Sequence, residues 1–169
     1  MRLVLQRVKQ AEVVVDGKNV SAIDKGLLIL TGIGKEDNEE NAKYLAKKVV
    51  SLRIFDDKAG KMNLSLKEIE GEILVVSQFT LYGDCRKGRR PSFDKAAEPK
   101  KALALFNCFV NELKASGLVV KTGVFGARMA VSLVNDGPVT FILEGGKKHG
   151  CSQKEDIAFK EAKEASSLA

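Results

Sequence analysis

Histidine is almost missing from this chain: His149 is the only one in 169 residues. Cysteine is sparse, with Cys85, Cys108 and Cys151 the whole supply, and tryptophan is absent. A structural zinc site needs four Cys or His ligands close together. None of these residues falls into a CxxC or HxxxH spacing, so no metal is expected. Three cysteines are an odd number in a chain that is not short, which argues against a disulfide framework. A Ser-His-Asp or Cys-His enzyme would have to use His149. A hydrolase built from this chain is expected to work without a side-chain triad, a metal or any other cofactor. No apolar run approaches the about 20 residues that cross a bilayer. Met1 to Arg7 is charged from its second residue, unlike a signal peptide. With unpaired cysteines that suit a reducing compartment, these absences predict a soluble cytoplasmic protein with no membrane partner.

What is present fits one domain, since about 100–200 residues make one. A chain of this size buries roughly 68–70% of its unfolded surface, enough for a real core. Leu3, Leu5, Val8 and Val13-Val14-Val15 lead to Asp16-Gly17, a hairpin signal, with Val20–Ile23 as the returning arm. Leu27–Ile33 is apolar almost throughout, as a strand buried on both faces is. Asp37 with Glu40 predicts a capping box, and Leu45, Val49 and Leu52 share one helical face. Arg53-Ile54-Phe55 and Glu72–Phe79 read as strands, the second the most clearly buried. A loop runs from about Leu81 to Glu98. Pro99 suits the first turn of a second helix with Ala102, Phe106, Phe109, Val110 and Leu113 inward, and Gly117 stops it. Strands follow at Leu118–Lys121, Met129–Val134 and Pro138–Leu143, the last closing the core. Strands in runs with two inserted helices predict an α+β fold on a mixed sheet. Gly145-Gly146 opens a tail in which 156–168 is either a short helix or solvated chain.

Chemistry gathers in a few places. Cys85 to Lys101 holds seven Lys or Arg residues against two carboxylates, five of the six net positive charges. Its centre, Arg86-Lys87-Gly88-Arg89-Arg90, suits phosphate contact; a plain solvated loop has the same composition. Ser77-Gln78-Phe79-Thr80 ends the most apolar strand with polar groups. Ser77 and Thr80 are possible nucleophiles, but a hydroxyl needs an adjacent base, and no histidine is near in sequence. Backbone N–H groups and the Gln78 amide offer oxyanion stabilisation instead. Asn135-Asp136-Gly137-Pro138-Val139 is either a hairpin turn or a fixed backbone edge, because proline cannot donate to a sheet ladder. Phe125 suits either base stacking or the core.

Taken together, Ser77–Leu81 and Asn135–Thr140 resemble the signature pair of the D-aminoacyl-tRNA deacylase family, also called D-tyrosyl-tRNA deacylase. The resemblance covers about residues 1–144. It includes Val4–Val8, Leu52–Phe55, Gly60–Asn63, Gly88–Phe93 and Met129–Leu133. It leaves 145–169 without a role. It implies one compact deacylase domain, a barrel-like mixed sheet with two long helices outside, and a homodimer. It implies hydrolysis of the ester joining a D-amino acid, or mischarged glycine, to the terminal adenosine of tRNA. Ser77, Gln78, Phe79 and Thr80 would form the reaction centre. Thr80 would be the nucleophile, or the substrate's own 2′-OH would help activate water. Gly137 and Pro138, as a cis motif, would reach into the partner subunit and exclude L side chains. Arg7, matching a family arginine that helps hold the motif, would line the substrate site with Phe125, Met129 and Val139. Arg86, Lys87, Arg89 and Arg90 would bind tRNA. The competing expectations are a non-enzymatic nucleic-acid-binding protein using the 86–90 loop and a small-molecule esterase.

Overall fold

The computed structural model describes residues 1–145. The helix or solvated tail expected over 156–168 lies outside them. Strand β1 (Arg2–Val15) turns at Asp16-Gly17 into β2 (Lys18–Ile23). Both turn residues have positive φ, 49° and 73°. That backbone matches the twist of a two-residue hairpin and explains the Asp-Gly pair. β3 (Gly26–Gly32) runs antiparallel to the first half of β1 and parallel to β6 (Glu72–Ser77). β7 (Val120–Thr122) adds parallel to β6. β8 (Ala130–Glu144) pairs antiparallel with the other side of β1. The order is thus β2-β1-β3-β6-β7 with β8 on β1, a mixed, nearly closed, barrel-like sheet. A separate hairpin joins β4 (Arg53–Asp56) to β5 (Met62–Ser65).

The central strands bury both faces, which is why their sequences do not alternate with polar residues. Leu27, Ile29, Ile73 and Val75 face helices α1 (Glu39–Ser51) and α2 (Pro99–Lys114), meeting Leu45, Val49, Phe109 and Leu113 in one core. Leu28, Leu74 and Val76 face the inside of the curled sheet, against Val8, Val13, Met129 and Leu133. Phe109 and Leu113 are completely buried, and emptying a site such as Phe109 to alanine costs about 3–5 kcal/mol. The α+β expectation and the two outer helices hold.

Four local readings change. The cap of α1 is Asn38, reciprocally bonded with Asn41. Asp37 is buried instead, receiving Gly34 N–H at 2.6 Å, the Tyr82 hydroxyl at 3.1 Å and the Met1 ammonium. The strand expected to run to Phe79 stops at Ser77, and Phe79–Tyr82 forms a 3₁₀ turn. The strand expected at Leu118–Lys121 sits slightly later, as β7. The largest change concerns Met129–Val134 and Pro138–Leu143, which are not two strands joined by a turn. They are one strand, β8, with a bulge. Gln6 pairs with Thr140 and Val8 with Asn135, so Asp136–Val139 stand opposite Arg7 alone. Proline has no N–H for the ladder, and a bulge on an edge strand accommodates it. The Gly137–Pro138 peptide is cis.

Candidate active site

Ser77 ends β6 beside Thr31, which ends the apolar stretch of β3. The Gln78 N–H donates to the Thr31 carbonyl at 2.8 Å, fixing where the chain leaves the sheet. There the 3₁₀ turn begins. Its first N–H groups have no acceptor within the turn, so Phe79 N–H is suited to an external oxygen. The Gln78 side-chain amide donates to Thr80 Oγ1. Two further bonds hold the turn from behind. Arg2 Nη1 donates to the Leu81 carbonyl at 2.5 Å, and the Tyr82 hydroxyl donates to Asp37. Burial, then the nearby Asp37 carboxylate, pushes the Tyr82 phenol well above its ordinary range. It therefore stays a donor throughout the physiological range.

In front of the turn lies a cavity of about 450 Å³. Ser77, Gln78 and Phe79 form one wall, and Phe125 and Met129 another. Of the two alternatives for Phe125, the packing is seen directly. Phe125 lines the cavity and packs against core Phe106, with ring centroids 5.8 Å apart. Thr80 is exposed at the rim and reaches the group only through Gln78. The first turn of α2 contributes Pro99 and Ala102 to the lining. Sequence reasoning did not single out Thr31. Its Oγ1 is buried without a hydrogen-bond partner among the described residues, on the cavity wall. The signal was a lone hydroxyl inside the apolar run Leu27–Ile33.

The other expected site residues lie elsewhere. Arg7 is buried, and its guanidinium is engaged by protein. It donates to the Asp136 carbonyl at 3.0 Å and the Ile54 carbonyl at 2.8 Å, and pairs with Asp56 at 3.2 Å. It thereby holds the β8 bulge carrying Gly137 and Pro138, which does not line the cavity of its own chain. Val139 N–H closes the bulge on Asn135 Oδ1 at 2.9 Å. Gly137 has φ 138°, and a side chain there would collide with Val139 at 2.7 Å. Only glycine fits both demands.

The basic residues occupy a loop just past the turn. Asp84 and Ser92 exchange backbone hydrogen bonds of 2.8 and 3.0 Å, closing it. Arg86 folds back on Asp84 and, chiefly through that hydrogen bonding, holds the carboxyl well below its usual range. Lys87, Arg89 and Arg90 are exposed. Among the described residues no group of three or more His, Cys, Asp or Glu side chains is arranged to hold a metal. No helix there is long and apolar enough to cross a membrane.

The sequence matches the family described as D-Tyr-tRNA(Tyr) deacylase over residues 4–144. The D-aminoacyl-tRNA deacylase of Thermosipho africanus is 62% identical over 147 residues, 87% of this chain and 99% of the relative. That of Desulfatibacillum aliphaticivorans is 62% identical over 144 residues, 85% of this chain and 99% of its own length. The solved structure of a c-Myc DNA Unwinding Element Binding Protein superimposes with TM-score 0.82 at 40% identity, covering 87% of this chain and all of that one. With the family's span matching β1 through β8, and with relatives this similar over nearly their whole length, the chain belongs to the D-aminoacyl-tRNA deacylase family.

Proposed function

We propose that this chain hydrolyses the ester joining a D-amino acid to the 3′-terminal adenosine of tRNA, releasing free amino acid and tRNA. One observation carries the reading: Ser77, Gln78 and Phe79 converge with Phe125 and Met129 on one cavity, in a chain of this family. The adenosine lies against Phe125 and Met129. As water attacks, the ester carbonyl becomes an oxyanion, which Phe79 N–H and the Gln78 amide stabilise. The substrate's 2′-OH helps activate the water. This suits a cavity whose lining contains no imidazole among the described residues. Thr80 orients Gln78 and is not the nucleophile.

Handedness is selected by backbone. Gly137 and Pro138, set by Arg7, enter the cavity of a partner subunit and oppose an L side chain, while a D side chain points outward. Glycine, with no side chain to oppose, is hydrolysed too. The homodimer is favoured by β8, which leaves Val134, Phe141 and Ile142 at 44%, 37% and 67% exposure. Lys87, Arg89 and Arg90 meet tRNA phosphate. The activity belongs to 1–144, with none assigned to 145–169, and works in the cytoplasm where its substrate is.

A non-enzymatic nucleic-acid-binding role is the second reading, favoured by the basic loop and by the 40%-identical solved protein, which is named for binding a DNA unwinding element. One assay separates them: incubation with matched D- and L-aminoacyl-tRNA and with a free D-amino-acid ester. Release from D-aminoacyl-tRNA alone is expected. No release from either tRNA would overturn the deacylase reading in favour of binding. Equal hydrolysis of the free ester would favour a small-molecule esterase.

A further inference from the structure

Two aromatic rings stand open at the mouth of the cavity. Phe79 is 59% exposed and Phe93 37%, with centroids 5.0 Å apart and planes at 65°. Apolar rings of this size normally bury, and the core is only a few residues away. The fold instead holds them outside. Phe93 follows the Asp84–Ser92 closure directly, and its carbonyl accepts from Ala96 N–H at 2.9 Å. Its ring lies over Gly83, where a Cβ would come within 3.2 Å of Phe93 Cε1. The absent side chain lets the edge of the ring approach the end of the 3₁₀ turn. An edge-to-face pair leaves a ring face uncovered, here facing solvent.

The loop above this pair carries the chain's densest positive charge. Arg86 is engaged by Asp84, but Lys87, Arg89 and Arg90 are exposed and have no ion pair among the described residues. Phe79 lines the cavity, Phe93 packs on Phe79, and the free cations sit in the loop that the Asp84–Ser92 bonds close directly before Phe93. The 3′ end of a charged tRNA has the same order: ester, unpaired bases, then backbone phosphates. Proteins that hold single strands combine these same two elements, aromatic faces for bases and cations for the backbone.

We propose that Phe79 and Phe93 form a stacking platform for the unpaired base that precedes the terminal adenosine, with Lys87, Arg89 and Arg90 on the phosphates beyond it. This rests on the deacylase reading and assigns a second nucleotide subsite to it. Because every base has a π-face, the platform accepts tRNAs without reading their sequence. Phe93 is a binding residue here, and the reacting atoms never touch it.

The test compares a full substrate with a truncated one. Phe93→Leu keeps apolar bulk and removes the π-face; Phe93→Tyr keeps the face. On D-aminoacyl-tRNA, Phe93→Leu is expected to raise KM about tenfold with kcat held, the order of a lost base stack. Phe93→Tyr stays near the parent value. D-aminoacyl-adenosine, which lacks the preceding base, loses less than twofold. An abasic site before the terminal adenosine reproduces the loss in the parent protein and leaves Phe93→Leu no further effect. Equal loss on both substrates would overturn the platform, since Phe93 would then only support Phe79. So would unchanged KM for tRNA, or a change of oligomeric state in Phe93→Leu, which would mean a second copy covers the rings. Binding of uncharged tRNA by fluorescence anisotropy tests the platform even if no ester is hydrolysed. A parent protein that binds but does not hydrolyse counts against the deacylase reading alone, and Phe93→Leu must still weaken that binding.

Discussion

Gln78 and Thr80 sit two residues apart with the amide donating to the hydroxyl, so in the proposed mechanism the group that meets the oxyanion is aimed by a neighbour. Removing each separates their roles. Gln78→Ala deletes the donor and is expected to lower kcat about 100-fold, the scale of a lost oxyanion-hole group. Thr80→Ala removes only the aim, and turnover should stay within about tenfold of the parent. Single-turnover kinetics on D-aminoacyl-tRNA checks both, and complete loss in a folded Thr80→Ala variant would restore the nucleophile role. Arg7 works at longer range. Arg7→Met strands the Ile54 and Asp136 carbonyls and the Asp56 and Asp136 carboxylates, costing about 2 kcal/mol, as for hydrogen bonds from a charged group. Urea midpoints measure that cost, and hydrolysis of L-aminoacyl-tRNA should rise as the β8 bulge loosens. These residues were not equally legible. The polar cluster at the end of an apolar strand announces Gln78 and Thr80. Arg7 looks like an ordinary alternating strand residue, because its acceptors lie 47 and 129 positions away. Thr31 was visible as a hydroxyl in an apolar run, but only packing reveals that it has no partner.

The 84–92 loop is the element with the plainest electrostatic prediction. Single-stranded nucleic acid binding weakens with salt at a log–log slope of about 0.7 per phosphate neutralised. Replacing Lys87, Arg89 and Arg90 together by serine should therefore flatten the salt dependence of tRNA affinity by about 2 units, while thermal stability stays near the parent value. An unchanged slope would return the loop to a solubility role. Nothing in its charge composition distinguishes these alternatives. What does is the position, since closure by Asp84 and Ser92 sets the loop directly before Phe93, whose ring packs on the cavity-lining Phe79. β8 teaches the converse. Its two apolar halves were legible, but the chain between them was open to a hairpin turn, because Asn, Asp, Gly and Pro make turns, or to a fixed backbone edge. Pairing with β1 excludes the hairpin turn, and pairing is non-local. The cap of α1 shifts by one residue for a similar reason. Asp37 has the right side chain to cap a helix, but the half-buried Tyr82 hydroxyl and Gly34 N–H claim its carboxylate first.

At the scale of the whole molecule, one chain shows two features that the proposed dimer would explain. Its cavity has no Gly137 or Pro138 in the lining, and among the described residues its long strand β8 has β1 on one side only. Phe141 and Ile142 read from sequence as the last core strand, yet they stand 37% and 67% exposed. The pattern of a strand marks which residues are apolar and not which partner buries them. An isologous pairing of two copies answers both demands at once, since each presents the same face to the other. It also stops an open edge from recruiting further chains. Ile142→Glu tests this directly. The side chain is mostly outside the subunit, so the monomer's own stability should change by less than about 0.5 kcal/mol. In the dimer a buried, unpaired carboxylate is strongly disfavoured. Sedimentation should report a monomer with parent-like circular dichroism. Its release of D-amino acids should be weakened, and its preference for D over L should fall, because each cavity has lost the other copy's Gly137 and Pro138. A monomer with full activity and full chiral preference would mean that handedness is read within one subunit, and that the β8 face serves another purpose.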